Sequence, residues 1–316
     1  MRISEIIQRT KNPAFSFEII PPPRGRSIQD LIEIVETLMP VKPQWFDVTS
    51  HASSAYLQED THGNLIRRTY KKRPGTLGIC GVIQNRFRID TVAHVLCLGF
   101  TREETEDALI ELNYLGVENL LLVRGDNPNY EKKYAREKSF NHYAIDLVRQ
   151  VVALRKGQFL EELSEPAQFD FCIGVAGYPE KHFEAPNWEL DLKYLKAKVD
   201  AGADYIVSQM FFDNSVFHSF VSRCRSAGIT VPIIPGLKIL KSASQLKSIP
   251  RTFHCDIPTD LVDNILENPK HAEEIGMRWT GHQIKDLLDR GHNNIHLYVM
   301  NDAHLARQVI ETVDSL

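Results

Sequence analysis

The 316-residue chain predicts an α/β fold: a single (β/α)8 TIM barrel spanning residues 1–316, with extended loops at its C-terminal face. Three observations carry this. Eight short apolar runs are each followed by at least one segment of helical period, the alternation that builds a parallel sheet with helices outside it. The runs are apolar throughout rather than alternating, as strands covered on both faces are. No G-x-G-x-x-G follows the first run, which weakens the rival, an open doubly wound sheet.

The first run lies within 14–24, AFSFEIIPPPR. Proline cannot donate to a ladder, so 21–23 must end that strand. Glu18 interrupts the run, and an acid inside a covered strand is costly unless something uses it. A Glu paired with a buried arginine, or facing solvent, explains the spacing equally well. Ser27-Ile-Gln-Asp30 offers a start resembling a capping box, and apolar residues at 28, 31, 32, 35, 38 and 39 keep the helical period until Pro40. Residues 45–49 (WFDVT) are the second run, and the polar stretch 50–74 is long enough for a functional loop or lid.

Residues 76–88 read as helix and 92–97 as strand, with His94 interrupting it. Thr101-Arg-Glu-Glu104 caps a helix to about Leu115, closed by Gly116. The run 120–123 ends in Arg124-Gly125-Asp126, and a charged, aromatic excursion over 127–142 precedes a helix over 143–156. The later runs are 171–176, 205–210, 229–234 and 295–299. Helices are expected over 190–201, 215–227 and 303–313, with two or three more within 242–290.

Composition excludes several classes. A formal net charge of −4, with 43% apolar and 25% charged residues, describes an ordinary globular chain. It offers no basic field for nucleic acid or anionic lipid. The five cysteines are scattered and form no C-x-x-C, so a metal or iron–sulfur centre is not expected. No apolar signal core or run of eighteen apolar residues occurs, so no membrane span and a cytoplasmic location are expected.

The polar oddities collect where the strands end, and in such barrels that rim is the working face. Glu18, Thr49, Arg124-Gly125-Asp126, Tyr178 with His182, and Gln209 all fall there. Each has a plainer explanation taken singly. His94 could be a satisfied core histidine, Tyr178 plain packing, Asp213 a helix start and Lys198 a solvated helix charge. Asp191 could serve its helix dipole.

Taken together the blocks resemble one family. Phe15-Ser-Phe-Glu18-Ile-Ile-Pro-Pro resembles the opening motif of the methylenetetrahydrofolate reductases. Asp47-Val-Thr49, Ala93-His94 through Cys97 and Leu122-Val-Arg124-Gly125-Asp126 follow in the family's order. So do Ala176-Gly-Tyr178-Pro-Glu180, Lys198-Val-Asp-Ala-Gly202-Ala, Ser208-Gln209 with Phe211-Phe212-Asp213, and Pro232-Ile-Ile-Pro-Gly236. The resemblance covers essentially the whole chain.

It implies a flavoprotein of one-carbon metabolism and methionine biosynthesis. Its substrate would be 5,10-methylenetetrahydrofolate, reduced to 5-methyltetrahydrofolate by NADH or NADPH through bound FAD in a ping-pong cycle. Position by position, Thr49, His94, Arg124, Gly125, Asp126, Ala176, Tyr178, His182, Asp191 and Lys198 would contact FAD. Lys198 would serve the pyrophosphate, with Arg124 as a helper. Glu18 resembles the family's general acid, which protonates folate N10 so that the ring opens to a 5-iminium cation able to accept hydride. Such an acid works near neutral pH only if burial raises its pKa. Asp126 would favour that cation, and Gln209 would hydrogen-bond folate and nicotinamide in turn.

Some positions depart from the family pattern. Ala197 stands where an Arg is frequent, Met210 where Phe is, and Ala243 where an aromatic stacks on the substrate. Phe211, Phe212, Tyr130 or Tyr134 are candidates for that stacking. The C-terminal regulatory domain of eukaryotic members, and feedback inhibition by S-adenosylmethionine, are not expected. A homo-oligomer is. Two other readings stand beside this one: a colourless barrel lyase or aldolase using Lys198 as a Schiff base, and a catalytically silent flavin- or folate-binding partner subunit.

Overall fold

A computed structural model of the chain describes residues 1–125, 139–300 and 302–313. Its main sheet is parallel and uses β1 (Ala14–Ile19), β2 (Trp45–Val48), β5 (Asp90–Leu96), β6 (Asn119–Val123), β7 (Cys172–Gly177) and β8 (Tyr205–Ser208) in consecutive order. It continues through β9 (Ile233–Ile234), β10 (Gly236–Leu237) and β11 (Asn294–Met300). β9 pairs with β8 and β10 with β11, while β11 pairs with β1. Only Pro235 separates β9 from β10, and its carbonyl accepts from His296 N at 2.9 Å. The two pieces are therefore one stave, and the circle closes with eight. Pro235 breaks that stave because it has no N–H to give.

The apolar runs fail to alternate because both faces are covered. On the outer face Phe15, Phe17 and Ile19 of β1, Phe46 and Val48 of β2, and Leu120 and Leu122 of β6 pack under the helices. On the inner face Trp45, Val92, Leu121, Cys172, Tyr205, Val207 and Ile234 fill the barrel. Ile3 and Ile6 of α1 (Ile3–Arg9) join this inner cluster. A helix absent from the sequence expectations thus packs into the barrel interior.

The helices follow their sequence signals closely. α2 (Ile28–Leu38) starts where Ser27 accepts from Gln29 N, but Asp30 pairs with Arg26 instead of completing a capping box. α3 (Thr76–Phe87) leads into β5. α4 (Arg102–Tyr114) does carry the full box, Thr101 and Glu104 each bonding the other's backbone N–H. α5 (Ala144–Arg155), α6 (Trp188–Asp200) and α7 (Asn214–Ser226) fall where the periodicity puts them, and Asp213 caps α7 by accepting from Ser215 N. α8 (Gln245–Phe253), α9 (Thr259–Glu267) and α10 (Ala272–Asp289) fill the long interval before β11, and α11 (Ala303–Val313) closes the described chain.

Within 50–74 the structure has an antiparallel hairpin, β3 (Ser54–Glu59) with β4 (Leu65–Tyr70), where the sequence suggested only a loop. Tyr56, Leu57, Leu65 and Ile66 are all exposed on it. Of the 127–142 excursion, 127–138 lie outside the described residues. No helix among the described residues is long and apolar enough to cross a membrane.

Candidate active site

β1 enters the barrel with Ser16 and Glu18 facing inward, since Phe15, Phe17 and Ile19 take the outer core. Register sets Glu18 beside Asp47 on β2 and beside Tyr298 on β11. One step further along β5, His94 places Nε2 3.3 Å from Asp47 Oδ2 and 3.8 Å from Glu18 Oε2. Trp45 Nε1 donates to Asp47 Oδ1 at 2.9 Å. His296 Nδ1 lies 3.7 Å from that same oxygen and 2.9 Å from Ser16 Oγ. Lys238 sends Nζ to Tyr298 O at 3.0 Å, and Tyr298 donates its hydroxyl to Ser208 O at 2.6 Å. Gly236 permits that last approach, because a Cβ there would sit 2.4 Å from Ser208 O and 2.6 Å from the Tyr298 ring.

Burial pushes the Glu18 carboxyl up to about 7, with His94 and Lys238 pulling down and Asp47 pushing up. Burial also opposes charge on His94, but its hydrogen bond to Asp47 and the charges of Glu18 and Asp47 outweigh that and raise its pKa. The Glu18 side chain retains 13% exposure, so it remains reachable from the mouth. Chemically it is a carboxyl able to hold a proton near neutral pH and release it.

A second group gathers at the ends of β6 and β7. Lys198, on α6, reaches back to donate to Ala176 O at 2.8 Å. Burial lowers its ammonium to about 8, and Asp191 opposes this. No carboxylate among the described residues lies within ion-pair distance of Lys198. Asp191 accepts instead from His182 N at 3.1 Å. Tyr178 meets His182 edge-on, with ring centroids 4.5 Å apart. Burial lowers the His182 pKa, so its ring is held neutral. Arg124 pairs with Glu184 at 2.7 Å, a half-exposed contact of small energetic weight. Gly125 adopts a φ of +83° against Leu96, a turn that glycine permits.

Thr49 follows β2, and its Oγ1 is buried without a hydrogen-bond partner among the described residues. A buried orphan hydroxyl is unusual in a native protein. Together with the amine of Lys198, which has a carbonyl but no carboxylate within ion-pair distance among the described residues, it fits a ligand carrying hydrogen-bonding groups and negative charge. Gln209, just past β8, turns Oε1 back onto Met210 N at 2.9 Å. Asp126, Tyr130 and Tyr134 lie outside the described residues.

Phe211 and Phe212 are fully covered, Phe211 stacked on Phe217 at 4.9 Å between ring centroids. α10 lies over both, with Gln283 Nε2 donating to Phe211 O and Trp279 Nε1 to Phe212 O. A covered ring has no face to offer a substrate. Asp47, Lys238, His296 and Tyr298 complete the interior; Asp47 entered the sequence reading only as the start of the Asp47-Val-Thr49 block, and the other three were not singled out. Their only signal was parity with Glu18, which becomes readable once the barrel register is known.

Fold and rim together define a (β/α)8 barrel with a proton-holding acid in its mouth and an anion-ready amine that α6 brings to the end of β7. A family model described as Methylenetetrahydrofolate reductase matches residues 2–314, and the chain belongs to that family. It is 30% identical over 300 residues to Methylenetetrahydrofolate reductase (NADH) 1 of Zea mays, which covers 91% of this chain and 46% of that protein. The chain thus spans about half the length of such longer relatives. The 5,10-methylenetetrahydrofolate reductase of Salmonella typhimurium is 30% identical over 301 residues, covering 94% of this chain and 90% of that one. Among solved structures, a Clostridium thermocellum protein described as binding two copies of 5-methyl-5,6,7,8-tetrahydrofolic acid shares the fold. Its TM-score is 0.58 at 11% identity, covering 99% of this chain and all (100%) of that one.

Proposed function

We propose that the chain is an FAD-dependent reductase converting 5,10-methylenetetrahydrofolate to 5-methyltetrahydrofolate with NADH or NADPH. The observation that carries this is Glu18, a buried carboxyl with a pKa near 7 at the barrel mouth, in a chain of this family. The orphan Thr49 hydroxyl and the Lys198 amine fit a dinucleotide cofactor, the amine toward its pyrophosphate. When bound there, FAD supplies hydride transfer between nicotinamide and folate. Arg124, Gly125, Ala176, Tyr178, His182 and Asp191 are the accompanying contacts.

Glu18 donates its proton to folate N10. The N10–methylene bond breaks, and N5 is left as an iminium able to accept hydride. Gln209, a neutral amide with donor and acceptor, hydrogen-bonds folate and nicotinamide in alternation. Asp126 stabilises the cation by its charge.

The test is an anaerobic visible spectrum of the purified protein. NADH or NADPH should bleach a flavin band, and methylenetetrahydrofolate should restore it. Absence of a flavin band even after adding FAD would overturn the reading. Glu18→Gln should keep bleaching by the nicotinamide and lose recovery with folate. In the native protein, recovery should slow as pH rises through about 7, because the protonated form of Glu18 is the competent one.

A further inference from the structure

Two carboxyls, Glu18 and Asp47, stand side by side on adjoining strands inside the barrel. Both cannot ionise without partners, since like charges at that spacing oppose each other. His94 lies between them, and its Nε2 can carry only one hydrogen. Asp47 Oδ2 is the nearer acceptor, at 3.3 Å against 3.8 Å for Glu18 Oε2. Asp47 is also held in place: Trp45 Nε1–H pins its other oxygen at 2.9 Å, and the side chain is fully covered. Glu18 has no such donor among the described residues.

We propose that Asp47 is a positioning residue for the acid: by accepting the His94 Nε2 proton it keeps the imidazolium from pairing with Glu18, so the Glu18 carboxyl keeps its own proton. The remaining charged or titratable neighbours do not replace it. Lys238, following β10, spends its ammonium on Tyr298 O, and Tyr298 spends its hydroxyl on Ser208 O. His296, on β11, faces Asp47 and Ser16. The carboxylate on β2 therefore partners the cation that acts most strongly on the acid on β1, ahead of Lys238. Without it, the imidazolium would turn to Glu18 as its nearest carboxylate and hold it ionised.

This inference rests on the reading of Glu18 as the acid, yet it can be tested without folate turnover. The readout is the infrared carbonyl band of the protonated carboxyl, assigned by its loss in Glu18→Gln and followed against pH in the purified protein. Asp47→Asn should lower the titration midpoint of that band by about one pH unit or more, the effect of an opposite charge brought into contact. His94→Gln should raise it, because Asp47 then faces Glu18 unscreened. The double variant Asp47→Asn/His94→Gln should return the midpoint to near the native value, since the cation that stripped Glu18 is gone. Mere loosening of the barrel would lower the midpoint in Asp47→Asn and give no such return. An unchanged or raised midpoint in Asp47→Asn, or no recovery in the double variant, overturns the proposal. If Asp47→Asn does not fold, an unchanged or lowered midpoint in His94→Gln overturns it instead. Failure here with intact folate turnover in the native protein leaves the proposed function standing.

Discussion

At the scale of single residues, two groups hold unfavourable protonation states that a ligand-binding site would exploit. Glu18 has its pKa raised by burial from 4.5 to about 7. For such a group, stability is fully present below the unfolded pKa and is lost as pH rises through the folded value. Replacing it with an uncharged isostere should therefore stabilise the protein above pH 7 and do little near pH 4. The 2.5-unit difference between those two values corresponds to about 3 kcal/mol at most. Thermal unfolding of Glu18→Gln at both pH values checks this, and a Tm below native at pH 8 would contradict it. Lys198 is the second group, an ammonium lowered to about 8 with one carbonyl as its partner. Lys198→Met should fold normally, because it removes a charge without a counter-ion from a partly buried position. It should weaken FAD binding by about ten- to a hundredfold, the weight of one or two charge-assisted hydrogen bonds. Titration of flavin fluorescence gives the number, and unchanged affinity would remove Lys198 from the pyrophosphate.

At the scale of elements, legibility followed what each segment buries. The strands were readable because both their faces are apolar, and the capping box at Thr101 and Glu104 because it is local chemistry. α1 was missed because its seven residues carry too short a period to be recognised. Its apolar side makes sense only against the barrel interior. The burial of Phe211 and Phe212 was not legible, because a pair of aromatics after a strand shows no cover until α10 is packed over it. α10 itself makes a close crossing at Gly276, where a Cβ would fall 1.8 Å from Leu240 O. Helix propensity alone favours Gly276→Ala by about 1 kcal/mol. The contact is with backbone, which cannot step aside, so the substitution should instead cost a net of about 2 kcal/mol or more. Chemical denaturation measures it, and a stabilised variant would show that the crossing has slack.

At the scale of the molecule, the hairpin of β3 and β4 stands apart from the core. β4 is exposed along nearly its whole length, and just after it the chain is tied back by Arg24 N to Lys72 O at 2.7 Å and Arg73 Nη1 to Pro21 O at 2.5 Å. Replacing 54–70 with a short linker should keep the barrel's Tm within about 2 °C, as removal of exposed surface does. A larger drop would mean the hairpin packs on the barrel. The same distinction separates what the chain declares locally from what closure decides. Eight covered strands, their helices and an acid in the first strand can all be read from the chain, because burial on both faces and proline stops are written in consecutive residues. Barrel closure is what gathers Asp47, His94, His296 and Lys238 around that acid. They come from separate strands and strand ends, and side-chain parity has no meaning until hydrogen-bond register and barrel closure say which face points inward.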